Sequence, residues 1–324
     1  MTVGTHVRRA RTRVTGAASA ATRPVLESQR RPARVLAAFP AGVYLEVRTD
    51  LEPSVLAVIT GEATRLPNSV LLSTGLPRVT VGDEALVGDG TVELGPLSLR
   101  ARRWWDPAPP LGEVARARLA ASLDHLELLT AEAEPRTAPQ RRESFPGSGP
   151  DPHREKPPES GCQREGGAWQ VPGLVGNSVV EALAESCAKG WLLGAVSAAE
   201  QLVGLGPGLT PSGDDVLAGL LVTLRQLGRA AGTGRAVWLA DWLAAAVTYD
   251  ARTRTTAISA TLLHCAARGE ASPEVIAVLR GLTGGQALEP ALRRLHRLGH
   301  TSGADLAQGI AIGLSAVLAL GGPR

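Results

Sequence analysis

The chain has 324 residues, 44% of them hydrophobic but with only two Phe, two Tyr and one Met, so Leu, Val and Ala must supply most of any core. Its formal net charge of +3 rests on arginine, because Lys156 and Lys189 are the only lysines, and no basic stripe interleaved with aromatics points to nucleic acid. Three cysteines, Cys162, Cys187 and Cys265, without C-x-x-C spacing, argue against a disulfide framework and a cysteine zinc site.

The length predicts two domains. Residues 1–34 are rich in Arg, Ala and Thr with Glu27 as their sole acid, and read as a disordered leader. Residues 35–131 read as a β-rich domain with a closing helix. Short β-branched runs at Val43–Val47, Val55–Thr60, Val70–Leu72 and Val92–Leu99 are separated by turn residues. Asp89-Gly90 between two such runs predicts a hairpin, since that turn needs positive φ. Apolar residues at helical spacing over Val114–Leu129 predict the helix. Residues 132–168, mostly Pro, Arg, Glu, Gly and Ser, cannot bury enough surface to offset the entropy of ordering and read as a disordered linker.

Residues 169–324 carry helical patterns at Val175–Ala188, Leu192–Leu202, Val216–Leu227, Ala236–Val247, Ile258–Ala267, Pro273–Leu282, Leu288–Leu298 and Leu306–Leu320. The expected class is therefore α+β, a β-rich N-terminal domain followed by a mostly α-helical one. The apolar runs are shorter than the roughly 20 residues that a bilayer span needs, so a soluble cytoplasmic protein without a membrane partner is expected.

The stretch GLGPGLTPSGDD, Gly204 to Asp215, is the most informative. Glycines before a helix start permit close approach of a ligand to the main chain, and the helix start exposes unpaired N–H groups that suit a small anion. Thr210 or Ser212 can cap the helix, and Asp214 and Asp215 fall in its first turn. Neighbouring residues diverge by about 100 degrees on a helix, so Asp214 or Asp215 faces a ligand, not both. The pattern S-G-x-D-x-x-x-G recurs 90 residues later, with Ser212, Gly213, Asp215 and Gly219 answered by Ser302, Gly303, Asp305 and Gly309. A third helix start follows Arg252-Thr253-Arg254-Thr255-Thr256, where guanidinium and hydroxyl groups suit a carboxylate or phosphate.

If these three starts converge they form one polar pocket. The candidates for its chemistry are Asp214, Asp215, Arg254 and His300. Those for substrate contact are Gly206, Gly208, Thr210, Ser212, Gly213, Thr255, Thr256, Thr301, Ser302 and Gly303. Asp214, Asp215 and Asp305 could hold a divalent cation such as magnesium or manganese, with the cofactor itself left open. The plainer alternative is a set of well-capped helices shaping an interface. His264, Cys265, His296, Trp238 and Trp242 have apolar neighbours at helical spacing and are assigned to packing.

GLGPGLTPSGDDVLAG, then TTAISATLLHCAARGE, then GHTSGADLAQGIAIGL resemble in order the motifs of the AllH-like family, whose named member is a subunit of a bacterial oxamate carbamoyltransferase. ARRWWDP and the strands before it are similar to that family's N-terminal half. The resemblance implies a role in purine (allantoin) nitrogen catabolism, where a complex of several subunits interconverts oxalurate and phosphate with oxamate and carbamoyl phosphate. It implies small anionic metabolites and other subunits as partners. Arg254 and backbone N–H groups would polarise the carbonyl and stabilise the leaving phosphate. A non-catalytic partner or metabolite-binding subunit is the alternative.

Overall fold

The computed structural model describes residues 11–133 and 177–322. Its N-terminal part is a barrel of eight strands: β1 (Thr12–Ser19), β2 (Arg31–Phe39), β3 (Gly42–Val47), β4 (Val55–Ile59), β5 (Ser69–Leu72), β6 (Glu84–Gly88), β7 (Thr91–Leu94) and β8 (Leu97–Trp105). The closed order is β1-β5-β4-β3-β2-β6-β7-β8. β1 with β8 and β4 with β5 pair in parallel, and the other neighbours are antiparallel. The predicted hairpin joins β6 to β7, with Asp89 at φ 52° and Gly90 at φ 71°, the left-handed pair a two-residue turn requires. A short turn of helix, α1 (Arg23–Leu26), contributes the buried Val25 and Leu26 to the barrel interior, which is filled by Val, Leu and Ala as composition demanded.

Three expectations are corrected here. Residues 12–34 are not a leader: they form β1, α1 and the start of β2. The strand β1 is ordered by partners far away in sequence, so local composition carried no sign of it. The predicted strand across Val92–Leu99 is two strands, broken at Gly95, which has φ 52°. The closing helix, α2 (Arg116–Ala133), belongs to the helical unit, because Leu119 and Leu126 are buried in that unit's core. The expected linker lies outside the described residues from position 134 onward.

The second part consists of α3 (Ser178–Lys189), α4 (Leu192–Leu202), α5 (Ser212–Ala230), α6 (Gly234–Tyr249), the short α7 (Ala251–Arg254), α8 (Ala257–Ala267), α9 (Pro273–Leu282), α10 (Leu288–Leu295) and α11 (Ser302–Leu320). The α+β expectation holds, with a barrel followed by helices. At its centre α5 crosses α11. The backbones touch because glycines stand at the crossing: a Cβ on Gly219 would fall on the Leu306 carbonyl oxygen, and one on Gly309 on that of Val216. α11 has 19 residues and a mean hydropathy of 1.6, enough by length and composition to cross a bilayer, but 61% of that window is buried inside the protein. Its apolarity is accounted for by its central place.

The outer face of the barrel lies against α8. β4 is buried along its whole length, one face toward the barrel interior and the other toward the helices, where Val55 packs with Ile258. The Val55 N–H donates to Thr261 Oγ1 at 3.2 Å, and the Arg252 guanidinium donates to the Glu52 carboxylate. Cys265 is buried as assigned, whereas Trp238 and Trp242 are about half exposed and meet each other edge to face, so their packing assignment fails. Their i, i+4 spacing identifies a shared helix face, which here is turned to solvent.

Candidate functional site

The segments from α4 to α5 and from α10 to α11 are built alike. Each first helix ends in a turn in which the residue three positions on donates its N–H to the last leucine's carbonyl, Leu205 to Leu202 and Leu298 to Leu295, both at 2.9 Å. A glycine of positive φ follows, Gly206 at 116° and Gly299 at 60°. The second helix then starts at Ser212 or Ser302. The amides of Gly213 and Gly303 donate to the carbonyls of Leu205 and Leu298, at 2.8 and 3.0 Å. A Cβ on either glycine would strike the backbone carbonyl oxygen of Leu202 or Leu295. The repeat of S-G-x-D-x-x-x-G is therefore structural, and the α5–α11 crossing relates the two copies by an approximate two-fold.

The starts at Ser212 and Ser302 meet, but the start after Arg254 joins them only through Asp214 and stays outside the cavity lining, so the expected single polar pocket does not form; Asp214 and Asp215 part company. Asp214 turns toward α8. Its Oδ1 accepts the Gly204 amide at 2.8 Å, and its Oδ2 accepts the hydroxyls of Thr255 and, at 2.6 Å, Ser259. Gly204 has φ 76°, and a Cβ there would strike the Arg254 carbonyl oxygen, so this position accepts little but glycine. Asp214 is thus a lock between the loop and α8, with both oxygens occupied.

Asp215 turns the other way, into a cavity of about 380 Å³ between barrel and helices. The hydroxyls of Thr210 and Ser302 are 3.1 Å apart and bracket its carboxyl. Asp215 is 7% exposed, and its Oδ2 is buried without a hydrogen-bond partner. Burial, partly opposed by the Ser302 hydroxyl and reinforced by the nearby Asp305 carboxylate, raises its pKa to about 7. The remaining wall is largely apolar, with Phe39, Tyr44, Ile59 and Leu66 from the barrel facing Val222, Leu262, Val275 and Leu306 from the helices. Glu270 is the second carboxylate in the lining, and among the described residues neither arginine nor lysine contributes to it.

The other sequence candidates are dispersed. Thr256 caps α8, accepting the Ser259 amide at 3.0 Å, and donates its hydroxyl to the Leu209 carbonyl. Arg254 donates to the Glu200 carbonyl and stands 3.7 Å from Asp250, outside the cavity lining. His300, Gly206 and Gly208 are exposed. Thr301 and Pro211 occupy the N-cap positions of α11 and α5 without a side-chain capping bond, so neither Thr210 nor Ser212 caps α5 as expected. Asp214 has no free oxygen for a cation, and no cluster of three metal-ligating side chains is present among the described residues, which corrects the grouping of Asp214, Asp215 and Asp305 as ligands. Sequence reasoning missed the barrel's share of the cavity. One available signal was aromatic scarcity: Phe39 and Tyr44 are half of the chain's Phe and Tyr, and they meet edge to face at the cavity wall, 6.1 Å between ring centroids.

The segment spanning both helix starts also carries the likeness to known proteins. Residues 202–314 match the AllH family, oxamate carbamoyltransferase subunit AllH. The matched residues begin at the end of α4 and run through most of α11. The AllH match therefore takes in both copies of the helix start, the Asp214 lock and Asp215, but not the barrel wall of the cavity. No solved structure matches the chain.

Proposed function

We propose that the chain is a subunit of an oxamate carbamoyltransferase complex and that Asp215 is its acid/base group, in the purine nitrogen catabolism that the AllH family resemblance implies. The observation that carries this reading is Asp215, which lies in the AllH-matched segment, lines the cavity and has a buried Oδ2 without a hydrogen-bond partner. In carbamoyl transfer the amide nitrogen of oxamate forms a bond to the carbonyl carbon of carbamoyl phosphate, the bond from that carbon to the phosphate oxygen breaks, and the nitrogen gives up a proton. A carboxylate with pKa raised to about 7 is matched to accept that proton and, in reverse, to return it. The Thr210 and Ser302 hydroxyls fix its orientation.

The anionic ends of these small metabolites need cations that the cavity lining lacks among the described residues. The start of α5 does not supply the Gly213 amide either, since that group is bonded to Leu205. In this reading the phosphate is met by another subunit, which accounts for a complex rather than a lone enzyme. The absence of Arg and Lys from the lining among the described residues also favours a second reading, a non-catalytic subunit that binds a metabolite here.

Phosphate-dependent cleavage of oxalurate by the complex, with Asp215→Asn in this subunit, separates the two. Loss of a general base lowers kcat by about 10²–10⁴-fold while the subunits still co-purify. Unchanged kcat in an intact complex overturns the catalytic role, and an altered metabolite affinity with unchanged kcat supports the second reading.

A further inference from the structure

The barrel carries a second concavity. It is formed by β1, β7 and β8, which in the closed strand order lie away from the β3 and β4 wall that faces the helices. It measures about 710 Å³. Inward residues of these strands, Val92, Leu94, Leu97 and Leu99, fill the barrel, so the alternate residues Thr91, Glu93, Ser98, Arg100 and Arg102 stand on the outer face. On β1 the residues Arg13 and Thr15 pair with Ser98 and Arg100, which continues the same surface.

The charges in this groove are arranged unequally. Glu93, the one acid that lines it among the described residues, is buried and held by both Arg11 and Arg30, the latter at 2.9 Å. Those two guanidiniums are thereby fixed. The side chains of Arg13, Arg100 and Arg102 are exposed and make neither an ion pair nor a hydrogen bond among the described residues. Three like charges on adjoining strands repel one another, and Thr15 and Ser98 interleave them with hydroxyl donors and, among the described residues, no further acid. Guanidinium forks with neighbouring hydroxyls are the donor set that phosphate oxygens use.

We propose that this groove binds a small phosphorylated metabolite carrying at least two anionic groups, on Arg13, Arg100 and Arg102. The site lies on the opposite side of the barrel from the Asp215 cavity and is independent of the carbamoyl-transfer reading. Its volume falls within the range of small-molecule sites, about 300–1,000 Å³.

The test is calorimetric titration of the purified full-length chain with inorganic phosphate, pyrophosphate and tripolyphosphate at low and moderate salt. One saturable site per chain is expected, with affinity rising from phosphate to tripolyphosphate. Arg13→Gln, Arg100→Gln and Arg102→Gln each weaken it about tenfold, the scale of one charge-assisted hydrogen bond. These side chains are exposed, and an unchanged unfolding temperature shows that the variants fold. Glu93→Gln releases Arg11 and Arg30 and tightens binding, a shift opposite in sign to the arginine variants. Absence of saturable binding, or binding that ignores all three arginine variants, overturns the proposal. So does a single-stranded RNA 20-mer that binds the groove and is not displaced by tripolyphosphate, which would make the surface one for nucleic acid.

Discussion

At the start of α5 the residue after Gly213 is Asp214, whereas at the start of α11 the residue after Gly303 is Ala304. Between the positive-φ glycine and the first serine the α5 copy has five residues, Pro207 to Pro211, and the α11 copy has two, His300 and Thr301. Most of what the copies share serves packing, the leucine turn, the bonded glycine amide and the crossing glycines, while the shared first-turn aspartates and Ser302 stand at the site. What differs sets how the site is arranged. The longer loop brings Thr210 to Ser302, and the extra carboxylate ties that loop to α8. A common scaffold thus holds two buried first-turn carboxylates, Asp215 and Asp305, near one another, and the α5 copy adds the parts that position them.

The scaffold is broken most severely at the crossing. Gly309→Val places a branched side chain where the Val216 carbonyl already stands, and the obstacle is backbone, so neighbouring side chains cannot yield. The expected loss exceeds the roughly 1–3 kcal/mol of ordinary overpacking, and no cooperative unfolding transition in urea is expected. The Gly219→Val change on the other helix should do the same, and a cooperative transition in either variant would contradict the symmetric crossing.

The next effect belongs to Asp215 alone. Its carboxyl titrates near 7 in the folded chain but near 3.8 when unfolded, so the folded state holds the proton through the window between. The stability this confers is complete below about pH 3.8 and is lost as the pH rises through about 7, a difference on the order of 4 kcal/mol. Asp215→Asn removes that slope. Urea midpoints across pH 4 to 8, compared between the two proteins, should therefore diverge with rising pH in favour of the variant. Parallel curves would show that the carboxyl is not held protonated.

The helices were legible because their apolar period survives in the sequence, and Leu192–Leu202 and Pro273–Leu282 agree end to end. The hairpin at Asp89-Gly90 was legible for a local reason, its turn chemistry. β1 was not, because the order of Thr12–Ser19 comes from β5 and β8, more than 50 positions away. The site divides along the same line. The repeat and the divergence of Asp214 from Asp215 follow from spacing, while the cavity's far wall is built of ordinary strand residues such as Tyr44 and Ile59, whose role depends on how the barrel meets the helices. Arg254 shows the converse: its residue type fitted anion binding, yet the fold spends it on the Glu200 carbonyl.

The smallest effects test whether the lock is specific to one copy. Asp214→Ala leaves the Gly204 amide without its acceptor and the Thr255 and Ser259 hydroxyls without theirs, in a place where water has little access. A loss of about 2–4 kcal/mol is expected, from hydrogen bonds to a charged group and the donors left unpaired. The reciprocal change, Ala304→Asp, adds a carboxylate at the exposed equivalent position in the first turn of α11, where it has no hydroxyls to accept and gains only a helix-dipole contribution. It should alter stability by no more than about 0.5 kcal/mol. Equal effects of the two changes in urea unfolding would mean that the carboxylate at Asp214 acts through the helix dipole common to both copies, whereas a large difference between them places its energy in the bonds to Gly204, Thr255 and Ser259 that only the α5 copy makes.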